Sequence, residues 1–165
     1  MDMDSFLKQG YRVKHGYHDL FPEHPKLPWC NLVWDRLIIP KNRFIVWLVF
    51  WKRLNTKERV SRYQSIDTTC VLCGNEDETT EDIVKLLHAC HHSKRFNAAR
   101  KSMVSTIIAS LVYHIWKARN EVLWNQELWL TSTAVQKSKQ LSLLRIKAFP
   151  PRKAKDEDID WIMRT

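Results

Sequence analysis

Glycine is scarce in this chain: Gly10, Gly16 and Gly74 are the only three. That supply excludes a phosphate-cradling Gly-rich loop and a dinucleotide fingerprint. It also argues against a β-sandwich, which needs many tight turns. No apolar run reaches the ~20 residues of a membrane span. Phe44–Trp51 is too short, and Ile107–Trp116 is interrupted by Ser110 and His114. The opening Met1-Asp2-Met3-Asp4 is acidic and carries no apolar signal core, so an intracellular protein, nuclear or cytoplasmic, is expected. Acids are nearly missing between Lys94 and Lys155, where Glu121 and Glu127 stand against 13 Lys and Arg. Cations are missing between Asp67 and Asp82, a stretch with six acids. No βαβ pattern surrounds the C-x-x-C pair, which argues against thioredoxin-like redox chemistry. No nucleophile or carboxylate set accompanies His114, so a catalytic base is not expected there and the chain reads as a non-enzyme.

What is present points to a small helical protein. The length of 165 residues suits one domain, and 44% hydrophobic residues are enough for a core. Eight tryptophans imply extensive burial or an interface. The net charge of +9 suits a polyanion, most simply nucleic acid, with a solvated helix face as the plainer alternative.

The pattern predicts a mainly α fold. Residues 1–24 form a polar lead segment, and Pro22, Pro25 and Pro28 break any helix near its end. A short helix is expected over Trp29–Leu37. Another is expected over about 41–54, with Phe44, Trp47, Leu48 and Trp51 as its buried face. Thr56 reads as the N-cap of a helix over 57–64. The C-x-x-C turn with Gly74 comes next, then a helix from 81 to about 89 carrying Ile83, Leu86, Leu87 and Cys90. A long amphipathic helix is expected from 93 to 126, capped by Ser93. Its stripe is Phe96, Ala99, Met103, Ile107, Leu111, Ile115, Ala118 and Val122. A shorter helix over 131–147 carries Val135, Leu141, Leu144 and Ile146. Residues 151–165 read as a charged, mobile tail with at most one docking turn at Ile159, Trp161, Ile162 and Met163.

Several blocks resemble a known family in order and spacing. These are Trp29…Trp34, Pro40-Lys41-x-x-Phe44…Trp47, Arg53-Leu54-Asn55-Thr56-Lys57-Glu58-Arg59, and Cys70-Val71-Leu72-Cys73-Gly74…Glu78…Cys90-x-x-Ser93. Together they resemble the reverse-transcriptase zinc-binding domain that follows the polymerase in plant non-LTR retrotransposons. The resemblance covers about residues 25–96. Leu111–Asn120 resembles the helix that often follows the module, so residues 97–150 read as a basic helical extension packed on it. The resemblance implies a small helical domain, a CCHC zinc site and association with element RNA or DNA. It also shows a departure, since Lys85 stands where the family has its ligating His. No polymerase precedes the module and no RNase H carboxylate set follows it, which fits a fragment or domesticated derivative.

Zinc takes four N or S ligands. Cys70, Cys73 and Cys90 offer three, and His91 is the leading fourth, with His88 and His92 as alternatives. The competing reading is a lapsed site with free thiols and Cys90 as a small core residue. Cys30 reads as a buried thiol. Lys94, Arg95, Arg100, Lys101, Lys117, Arg119, Lys137 and Lys139 are the candidate nucleic-acid contacts, binding without regard to sequence. Base stacking on Trp34, Trp47 and Trp51 is weighed against core packing, which helical spacing favours. The expected function is therefore a non-catalytic, retrotransposon-derived, nucleic-acid-binding module with a degenerate zinc site. The alternatives are a protein-interaction adaptor using a Trp-rich surface, or a decayed element product without a selected role.

Overall fold

The computed structural model describes residue 27 and residues 29–127 and 130–164. The expected lead segment and its three prolines lie outside the described residues. Seven α-helices succeed one another among the described residues: α1 (Cys30–Val33), α2 (Pro40–Phe50), α3 (Lys57–Ser61), α4 (Glu81–His92), α5 (Ala98–Asn125), α6 (Thr131–Ala148) and α7 (Asp156–Arg164). The only pairing of extended backbone among them is an isolated antiparallel bridge, Thr69 to Asp77. The mainly α expectation therefore holds.

Local chemistry sets the helix ends. Pro40 occupies the first turn of α2, where its missing N–H costs nothing. At the other end Lys52 adopts φ 50°, and Arg53 N–H donates to the Leu48 carbonyl at 2.8 Å. This is a Schellman closure with lysine where glycine is usual. The Thr56 side chain accepts from the Arg59 N–H and caps α3, as expected. The long helix departs from expectation. Helix α4 runs on to His92, the chain turns at 93–97, and α5 starts at Ala98. The Ser93 hydroxyl closes that turn by accepting from Arg95 N–H, and Asn97 is the cap of α5. Two capping side chains in quick succession keep 93–97 out of the helix, which starts at Ala98 and not at the expected 93.

Helix α5 is the spine. One cluster on it joins Leu32, Val33 and Ile38 to Ile45, Val46 and Val49 of α2 and to Ile108, Ala109 and Val112 of α5. A second joins Leu37, Met103, Ile146 and Ile162. Because α5 has neighbours on opposite sides, Ser105, Thr106 and Ser110 are buried along with Ala99, Met103 and Ala118, whereas Ile115 is exposed. The single-stripe expectation is thus too narrow.

Two further faces are corrected. On α2 the buried residues are Asn42, Ile45, Val46 and Val49, while Phe44 and Trp51 are exposed, as is Trp34 after α1. The β-branched residues face the core, and Trp47, Leu48 and Phe50 pack against it half-buried, so part of the expected face holds, whereas core packing does not explain Phe44, Trp34 or Trp51. On α6 the buried line is Ala134, Ser138, Ser142 and Ile146, whereas Val135 and Leu144 are exposed. Small side chains let α5 and α6 approach closely, a contact that apolar periodicity does not reveal.

The segment expected as a charged tail ends in helix α7, docked on α5. Asp158 explains why. Its carboxylate accepts from Lys155 N–H, a backward capping bond on α7, and also from Asn97 Nδ2 at 3.0 Å and Arg100 Nε at 2.7 Å. Trp161 packs between Phe96 and the Arg100 guanidinium, and Ile162 is buried in the second cluster.

Candidate metal centre and basic surface

The C-x-x-C segment folds as a tight, hydrogen-bonded turn. Cys70 N–H donates to the Glu76 carbonyl at 2.7 Å and Gly74 N–H donates to the Cys70 carbonyl at 2.8 Å. Gly74 sits at φ 69°, a conformation that costs glycine little. The backbone N–H of Asn75, then that of Glu76, hydrogen-bonds the Cys73 sulfur and, with a contribution from Cys70, holds its thiol below its ordinary value. Donors aimed at the sulfur favour the thiolate, the form that ligates metal. Cys30, Cys70 and Cys73 are all free thiols, and Cys30 is only partly buried.

The remainder of the zinc site is not assembled among the described residues. No group of three or more His, Cys, Asp or Glu side chains there could hold a metal ion. His92 is exposed at the end of α4 and Lys85 is exposed on it. The side chains of His88, Cys90 and His91 lie outside the described residues. The knuckle half of the donor set therefore fits zinc, and the described residues do not complete it.

An ion pair that sequence reasoning missed stands beside the knuckle. Arg119 Nε donates to Glu78 Oε1 at 2.6 Å, with the two side chains 15% and 10% exposed. Glu78 Oε2 is buried and has no hydrogen-bond partner among the described residues. The pair faces a cavity of about 190 Å³ lined in part by Cys70, Cys73, Ile83 and Trp116. Glu78 was visible as a family residue and Arg119 as part of the downstream helix. Only the fold shows that they meet.

The eight expected nucleic-acid contacts divide into three groups. Arg100 and Arg119 are committed inside the fold, to Asp158 and Glu78. Lys94 and Arg95 are exposed in the turn between α4 and α5, and Lys137 and Lys139 are exposed on α6. Lys101 and Lys117 are half-buried on α5. Arg145, on the extended basic surface, donates to the Leu37 and Arg36 carbonyls and lies over Phe149. Several of the densest basic positions thus hold the helices together.

His114 is buried. Its Nδ1 lies 2.8 Å from the Ser110 carbonyl and 3.0 Å from Ser138 Oγ, while Ser138 Oγ donates to the Ala134 carbonyl at 2.6 Å. Nδ1 therefore carries a hydrogen toward the Ser110 carbonyl. Burial pushes its pKa below the usual imidazole value. Lys41, Lys117 and Lys137 add to that, and the Ser110 bond opposes it. The histidine joins α5 to α6.

No helix among the described residues is long and apolar enough to cross a membrane. No curated protein and no solved structure matches the chain. The family described as zinc-binding in reverse transcriptase matches residues 11–96, more than half of the chain. With the knuckle at Cys70 and Cys73 inside that span, the chain belongs to the family of zinc-binding domains in reverse transcriptase.

Proposed function

We propose that the protein is a non-catalytic, retrotransposon-derived module that binds RNA or DNA without regard to sequence. The observation carrying this reading is the surplus of cations over acids along α5, α6 and the turn before them, several of which are exposed. Lys94, Arg95, Lys137 and Lys139 are exposed, in a stretch with 13 Lys and Arg and two acids. Cations arranged this way neutralise phosphates and release counterions. The test is binding to RNA and to DNA across a salt series. Affinity should fall linearly on a log–log plot, by a slope of roughly −0.9 per contacted phosphate on duplex DNA. Undetectable affinity at low salt refutes the reading.

A protein-interaction role is the second reading. Trp124 is 81% exposed beside Leu123 at the end of α5, and Leu130 is 73% exposed. Exposed aromatic residues are frequent anchors of protein interfaces. Nucleic-acid binding unchanged in Trp124→Ala, together with loss of a defined protein partner, favours this second role for that end of the helix.

A further inference from the structure

Helix α2 presents a row of aromatic rings to solvent. Phe44 is 57% exposed, Trp51 is 44% exposed, and Trp47 is half-buried between them. The rings are contiguous. Phe44 stacks on Trp47 with centroids 5.9 Å apart, and Trp47 meets Trp51 edge-on at 6.5 Å. Trp51 meets Trp29 at 5.9 Å. At ~1.5 Å rise per residue, Phe44 and Trp51 stand about 10 Å apart along the helix, room for neighbouring bases. Trp29 and Trp47 border the first core cluster, whereas Phe44 and Trp51 lie outside it.

The segment that carries the row is rich in cations. From Arg36 to Lys57 the sequence has six cations and no acid. The Arg53 guanidinium lies 5.9 Å from the Trp51 ring centroid, and Lys41 Nζ lies 4.8 Å from that of Tyr113. Lys52 is exposed next to Trp51, held at φ 50°, where a glycine would avoid the steric cost. Its ammonium is 3.6 Å from Glu81, with both side chains more than half exposed. Water and salt screen such a surface pair, so it yields readily to a phosphate.

We propose that this outward face of α2 is a binding site for single-stranded nucleic acid. Bases stack on Phe44 and Trp51, and phosphates meet Lys41, Lys52 and Arg53. An acidic peptide would use the cations but has no need of a row of rings. An apolar protein partner would use the rings but gains nothing from the excess of positive charge. A single strand uses both, because its bases expose flat π-faces next to a polyanionic backbone. A duplex hides those faces. The inference rests on the nucleic-acid reading and names the form of nucleic acid taken at this face.

Fluorescence anisotropy of the full chain with oligouridylate, oligothymidylate and a mixed-sequence duplex tests it. Phe44→Ala and Trp51→Ala should each weaken single-strand binding about tenfold and leave duplex binding unchanged. Trp51→Phe should retain most of the affinity. Phe44→Ala removes the more exposed ring, so its effect is read in a folded protein. Lys52→Gly should raise the melting temperature while making the single-strand salt slope shallower by about 0.7. If both alanine variants bind single strands like the parent while Lys137→Glu with Lys139→Glu abolishes binding, the inference falls and the broader reading stands. If neither single strand nor duplex binds, both fall. If Trp51→Ala instead breaks a concentration-dependent dimer with single-strand affinity unchanged, the face joins copies of the chain and the proposal is overturned.

Discussion

Replacing Arg119 with alanine should destabilise the protein far more than loss of a surface cation would. The guanidinium Nε sits 2.6 Å from Glu78 Oε1, and the side chains are 15% and 10% exposed. Exposed ion pairs contribute about 0–1 kcal/mol. Removing one member of a buried pair costs about 3–5 kcal/mol, because the remaining charge is stranded. Here Glu78 already has one buried oxygen without a partner among the described residues, so alanine would leave the whole carboxylate unsatisfied. The adjoining cavity offers room for water, which places the expected loss near the lower bound, about 3 kcal/mol. At ~2–4 °C per kcal/mol for a chain of this size, the melting temperature should drop by about 6–12 °C. Urea denaturation followed by tryptophan fluorescence measures the loss directly. Glu78→Leu combined with Arg119→Met should cost much less than the two single changes together, since no charge remains buried. A loss below about 1 kcal/mol in Arg119→Ala, or strict additivity in the double variant, would refute the buried-pair argument.

Three other outcomes follow from the geometry. The backbone N–H of Lys155, then Asn97 and Arg100, hold the Asp158 carboxyl below its usual range. Its stabilising effect is present above the unfolded carboxyl value of about 3.9 and is lost as pH falls through the lower folded value. Asp158→Asn should therefore lower stability at neutral pH and flatten the stability profile below about pH 4. His114 is also shifted down, so its contribution is full above about pH 6.5 and declines as pH falls toward the folded value. Denaturation midpoints measured across that window should slope in the parent and lie flat in His114→Gln; parallel slopes would show that another group titrates. Lys85→His should raise the zinc content of the purified protein, read by elemental analysis, toward a single ion per chain. Full zinc in parent and variant alike would show that a neighbouring imidazole already completes the site.

The sequence made legible whatever depends on local chemistry. Thr56 as a cap, the tight C-x-x-C turn with Gly74 and the α6 span all follow from neighbouring residues, and the structure has them. The failures share a different cause. Phe44 and Trp51 satisfy helical spacing as well as Ile45, Val46 and Val49 do, and nothing in a period of 3.6 says which stripe meets the spine. Ser138 and Ser142 look like surface residues until a second helix is seen against them. The docking of α7 depends on Asp158 reaching Asn97 and Arg100, far away in sequence, and its charge alone reads as a solvated tail. At the site, the thiol pair was evident from spacing, but the Glu78–Arg119 pair joins two segments that only tertiary structure brings together.

Helix α5 gives the family match an unexpected limit. The match stops at residue 96, yet Ile108, Ala109 and Val112 complete the cluster formed by α1 and α2, and Arg119 neutralises Glu78. A gene segment copied elsewhere with the knuckle but without this helix would encode a piece whose apolar face and acidic group both lack their complement. What can be inherited as a working unit is longer than the motif that identifies it. Its far edge is set by where the helix ends, not by where the recognisable residues stop.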